Sequence, residues 1–182
     1  MDLLKLLLDS QNSSALKQLA SQFGVSEGDT KNALSGMVPA LSQGLRKNIS
    51  SPDGLEGLMN ALSKGEHQRY IDHPETLADA STDGNAILGH LLGSKDASRQ
   101  VASDVAAKTG LDNGLLKKML PAVAAMVMGS MSKQTAASGL TSAVSGRGDS
   151  GGMLGMLSGL LDADKDGSVM DDVMKMAGKF MR

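Results

Sequence analysis

Nowhere in this chain do apolar and polar residues alternate over a stretch with strand composition. Apolar side chains recur instead at three- and four-residue intervals, as in Leu16, Leu19, Ala20 and Phe23, or Leu55, Leu58, Met59 and Leu62. That spacing lines one face of a helix. Only Phe23, Tyr70 and Phe180 are aromatic, so the core must come from Leu, Val, Ala and the 13 Met. Such side chains suit helix packing, whereas sheets favour β-branched and aromatic residues. The expected fold is therefore all-α, a multihelical orthogonal array.

Start and stop signals divide the chain into about a dozen short helices. Ser13 or Ser14 can cap the helix that carries Leu16 and Leu19. Ser26 can cap the next, with Leu34, Met37 and Val38 on its apolar side. Proline suits the first turn of a helix, so a new one is expected at Pro39, with Leu41 and Leu45 facing inward. Ser51-Pro52 opens another. Residues 64–82 are polar, hold His67, Tyr70, His73 and Pro74, and read as a connector with a turn or two of helix.

The second half replays the first. Gly24-Val25-Ser26 through Met37-Val38-Pro39-Ala40-Leu41 resembles Gly110-Leu111-Asp112 through Met119-Leu120-Pro121-Ala122-Val123, with a length difference of about one helical turn. This suggests a first helical repeat over 1–65, a connector over 66–82 and a second repeat over 83–145. A Gly-rich link and a C-terminal helix–loop–helix follow over 146–182. Gly89 and Gly93, and Gly151, Gly155 and Gly159, stand four apart, a spacing that lets helix backbones approach closely in a core.

Several functions find no support in the residues. A net charge of −2 and a pI of about 5.9 give no electrostatic case for nucleic acid or an anionic membrane. There is no Cys, which excludes disulfides and thiolate metal sites. The amino terminus lacks a basic region and reads as an amphipathic helix. The apolar run Met119–Met131 is interrupted by Pro121 and is short for a bilayer span, so a cytoplasmic protein is expected. Gly148-Asp149-Ser150-Gly151-Gly152 matches the string around a serine-protease nucleophile, but no His base or β-scaffold accompanies it. Arg147-Gly148-Asp149 spells an adhesion tripeptide within a Gly/Ser stretch, where short matches arise by chance. No acid sits in an apolar pocket pattern and no His-Glu-x-x-His occurs, so no catalytic residue is nominated.

Leu19 to Ser26 resembles the turn of a helix-turn-helix protein, which would place Glu27 to Gly36 in a DNA major groove. That helix offers Glu27 and Asp29 against a single Lys31, and acidic side chains repel phosphate. The Met residues of the C-terminal segment could line an adaptable peptide groove, although Met at helical spacing more often fills core gaps.

One motif carries chemistry. Asp162-Ala163-Asp164-Lys165-Asp166-Gly167-Ser168-Val169 matches the first eight positions of an EF-hand loop. Oxygens at positions 1, 3 and 5 converge on a hard cation, Gly at 6 makes the sharp turn, and position 7 supplies a backbone carbonyl. Position 12, which calls for a bidentate Glu, is Val173, and Asp171 and Asp172 stand just before it. The candidate ligands are Asp162, Asp164, Asp166, the carbonyl of Ser168, and Asp172. The expected cation is calcium, bound weakly.

Gly89-His90-Leu91-Leu92-Gly93, Met119-Leu120-Pro121 and the terminal stretch Asp162 to Val173 together resemble the YidB-like bacterial proteins, a domain of unknown function. The resemblance covers most of the chain. It implies an all-helical, duplicated fold and carries over no catalytic residues. The functional expectation is a non-catalytic interaction or structural protein of the bacterial cytoplasm with protein partners. The alternative is a DNA-binding regulator that uses the helix after Gly24.

Overall fold

The computed structural model describes residues 3–8, 12–63 and 66–137, and every element among them is helical. In chain order these are α1 (Leu3–Leu8), α2 (Ser13–Phe23), α3 (Glu27–Ile49) and α4 (Pro52–Ser63). The connector contributes a 3₁₀ turn (Glu66–Gln68), α5 (Arg69–Asp72) and a 3₁₀ segment (Pro74–Asp79). Then come α6 (Ser81–Leu92), α7 (Lys95–Thr109) and α8 (Asn113–Ala137).

The capping residues explain most boundaries. Gly24 takes the left-handed conformation (φ 65°) that ends α2, and the Ser26 hydroxyl then accepts from Asp29 N at 3.0 Å to begin α3. Ser51 Oγ accepts from Gly54 N at 3.2 Å at the head of α4. The start of α2 differs from expectation. Asn12 precedes that helix, and instead of capping it sends Nδ2 to the Leu6 carbonyl at 2.7 Å, tying α2 to the end of α1.

Prolines do not divide the long helices. Pro39 lies inside α3 and Pro121 inside α8. Each removes one backbone donor, and the carbonyl left over belongs to the residue four before it. Those residues are Ser35 and Lys117, and the loss of one bond in helices of 23 and 25 residues ends neither. The result is fewer and longer helices than the punctuation suggests.

The second long helix organises the molecule. Every residue from Met119 to Ser132 is buried, and α8 packs against every other described element. By length and composition alone α8 could cross a bilayer: it has 25 residues, and its most apolar 18-residue window has a mean hydropathy of 1.2. Its neighbours bury 78% of that most apolar window, which accounts for its apolarity as a core. A helix apolar on all sides is what a central position requires.

Among the described residues, close helix approach comes from glycines other than those the spacing singled out. Gly89 is exposed with open space around it, and Gly93 serves as the left-handed cap of α6. Close approaches are made by Gly84, whose missing Cβ leaves room for the Pro121 carbonyl of α8, by Gly44, which faces the Leu91 carbonyl of α6, and by Gly129, which lies under the connector. Gly151, Gly155 and Gly159 fall outside the described residues.

The turn before α3 and the turn before α8 share a local plan. Gly110 ends α7 with φ 75° as Gly24 ends α2. Asp112 Oδ1 then accepts from Leu115 N at 2.7 Å, in the role of Ser26. Leu34, Met37, Val38 and Leu41 are buried in one unit and Leu116, Met119, Leu120 and Val123 in the other.

Candidate functional site

The densest set of ionisable groups among the described residues lies where the connector meets α6 and α8. Tyr70, the one tyrosine of the chain, is 2% exposed. Burying a phenol requires a partner for its hydroxyl. Tyr70 OH donates to Asp83 Oδ2 at 2.5 Å. Arg69 Nη2 donates to the same carboxylate oxygen at 2.7 Å and to the Tyr70 oxygen at 2.9 Å. The Arg69 guanidinium lies 4.9 Å from the centre of the Tyr70 ring, within reach of a cation–π contact.

Local structure brings these groups together. Arg69 and Tyr70 head the single turn of α5, and Asp83 stands in the first turn of α6, where a negative charge also favours the helix dipole. The hydrogen bond from Tyr70, aided by the positive charge of Arg69, holds the Asp83 carboxyl below its usual value of 3.8 against the opposing effect of burial. Burial, followed by the bond to Asp83, pushes the Tyr70 hydroxyl above its usual 10.0, with Arg69 opposing. The proton therefore stays on Tyr70 and the charge on Asp83 over the neutral range.

Two further features adjoin the cluster. Lys133 Nζ, near the end of α8, donates to Asp72 Oδ1 at 2.7 Å. His67 stands 6.3 Å from Tyr70, ring centre to ring centre, and its Nδ1 is buried without a hydrogen-bonding partner. The hydroxyls of Ser130 and Ser132 on α8 are likewise buried and unpartnered.

Chemically this arrangement fastens. One oxygen of Asp83 receives two donors, and the lone phenol is fixed in both position and protonation state. Among the described residues no three His, Asp or Glu side chains come together to hold a metal ion. The cluster has no local spacing that could betray it, because Tyr70 and Asp83 are thirteen residues apart and on different elements. The only signal was a buried-type aromatic in a polar connector.

The expected site residues fall elsewhere. Asp162, Asp164, Asp166, Ser168 and Asp172 lie outside the described residues, as do Arg147 to Gly152 and the Met-rich segment. Two helices, α2 and α3, do form on either side of the Gly24 turn. The second exposes Glu27, Gly28, Lys31, Asn32 and Ser35, while the Asp29 carboxylate accepts the Ser26 hydroxyl at 2.8 Å. His90 is exposed on α6.

No curated protein and no solved structure matches the chain. A family model does match, over residues 5–134, and so takes in all but the first residues of α1 and the last of α8. Its description is a bacterial protein of unknown function, DUF937, which agrees with the YidB-like resemblance. The chain thus belongs to the DUF937 family of bacterial proteins.

Proposed function

We propose that this chain is a non-catalytic helical protein of the bacterial cytoplasm that works by binding protein partners. The observation that carries this reading is the use made of its most concentrated ionisable groups. Arg69, Tyr70 and Asp83 satisfy one another and fasten the connector, rather than aiming a base or nucleophile at an open space. Among the described residues the apolar side chains are likewise gathered around α8 in one core, with Leu8 left exposed. What faces outward on α3 and α6 is small and uncharged along much of its length: Asn32, Ser35, Pro39 and Gln43 on one, Thr82, Asn85, Ala86 and Gly89 on the other. Polar, lightly charged surfaces of this kind fit transient protein contacts better than phosphate backbones.

Affinity capture of the tagged full chain from a bacterial host of this family, paired with a gel-shift series at low salt, tests the proposal. Reproducible protein partners with no sequence-selective DNA shift are expected. Sequence-selective, salt-sensitive DNA binding, lost on substitution of Lys31 and Asn32, would replace this reading with the DNA-binding regulator.

The carboxylate loop supports an added property, weak calcium binding by Asp162, Asp164, Asp166, the Ser168 carbonyl and Asp172. Its support is the EF-hand order of oxygens and glycine; the absent bidentate Glu at position 12 argues for low affinity. Calorimetry of the full chain at millimolar calcium should show binding heat and a raised melting temperature, both lost in Asp164→Ala. Neither signal in either protein would leave an acidic turn only.

A further inference from the structure

We infer that residues 66–73, the 3₁₀ turn and α5, form a strap across α8 that opens as a unit while the rest of the fold stays closed. This inference stands apart from the proposed function and rests on how the strap is held and on what it covers. The strap is short and made of single turns, so it has almost no helical hydrogen bonding of its own. Side-chain ties at three places fix it to its neighbours: Arg69 and Tyr70 to Asp83 of α6, Asp72 to Lys133 of α8, and the Arg69 and His73 carbonyls to the Thr76 hydroxyl of the segment that follows. The charged partners are 40–50% exposed, a setting in which an ion pair contributes little.

Beneath the strap the fit is tight but chemically incomplete. His67 passes its carbonyl directly over Gly129, and a methyl carbon built at Gly129 would lie 2.6 Å from that oxygen and 3.0 Å from Ile71 Cγ1. Within the closed strap His67 Nδ1 is buried without a partner. Unpartnered buried polar groups oppose closure, because opening would return them to water. What favours closure is the burial of Tyr70 and Ile71 against α8. Opposed terms of this kind, in a segment with few helical hydrogen bonds of its own, define a locally separable element. The strap continues into the Pro74–Asp79 segment, which is anchored to α2 by Leu77 and by the bond from Gln22 Nε2 to the Leu77 carbonyl. Opening is therefore confined to the stretch before it, and it uncovers Tyr70, Ile71 and the face of α8 at Gly129.

Native-state amide hydrogen exchange on the full chain tests this. In the wild type, strap amides are expected to exchange through an opening with a shallower denaturant dependence than α3 and α8 amides. Gly129→Ala should improve the helix propensity of α8 yet push the strap outward, speeding strap exchange at least about tenfold while α3 amides change much less. Gly57→Ala, at an exposed helical position with open space around it, should leave strap exchange unchanged. Strap amides that share the rate and denaturant slope of α8 in the wild type would overturn the inference. So would a Gly129→Ala protein whose strap is as protected as before. Should Gly129→Ala fail to fold, the wild-type slopes decide alone.

Discussion

At the scale of single residues, the Tyr70–Asp83 bond sets a pH window for stability. Asp83 has its carboxyl lowered below 3.8, so its contribution is present above that value and is lost as pH falls through the folded-state value. Tyr70 has its hydroxyl raised above 10.0, so its contribution is present below that value and is lost as pH rises through the folded-state value. Tyr70→Phe should therefore destabilise by about 1 kcal/mol, since the bond is partly screened by an exposed carboxylate. Urea melts across pH should show a constant difference from wild type between roughly pH 4 and 10, shrinking on either side. Gly84→Ala tests a different residue-scale claim. Its Cβ would meet backbone, the Pro121 carbonyl, which cannot rotate away, so a loss of about 1–3 kcal/mol in chemical denaturation is expected despite the better helix propensity of Ala. Neither site was legible in the sequence. The close glycines differ from Gly89 only in what lies across from them, and a string of residues does not show the facing helix.

At the scale of elements, the chain announced its helices well and their lengths poorly. Gly24, Ser26 and Pro52 mark true boundaries because each acts on its own neighbours: a left-handed residue, a side-chain acceptor, a preset φ. Pro39 and Pro121 look like boundaries by the same logic. The sequence shows the missing donor but not the packing on either side that carries each helix through it. The matched caps of α3 and α8 offer a direct comparison. Ser26→Ala and Asp112→Ala should each cost about 1 kcal/mol in urea denaturation, since each removes one acceptor from the first turn of a long helix. Duplication of the two halves is a larger claim than a shared turn. Superposing residues 13–48 on 99–132 tests it, and unlike helix arrangements would reject it.

At the scale of the whole molecule, α8 concentrates the stability. Met126 is fully buried at its centre, and Met126→Ala should lose about 2–5 kcal/mol, far more than any surface change on α2 or α7. Circular dichroism melts would show whether one cavity lowers the stability of all the helices together, as a shared core requires. The all-α class was readable because the lack of aromatics and of alternation is a property of the entire chain. The carboxylate loop was readable as a pattern, and it lies outside the described residues. The place of α8 in the chain has a consequence for biosynthesis. Its partners begin at Leu3, yet α8 itself starts at Asn113, so a ribosome has made seven helices before the one that all of them clasp. Synthesis at roughly 5–20 residues per second leaves those helices several seconds with the apolar surface that α8 covers still open. Nascent chains arrested before Asn113 should remain protease-sensitive and engage chaperones, whereas chains extended past Ala137 and clear of the ribosome should become resistant in a single step.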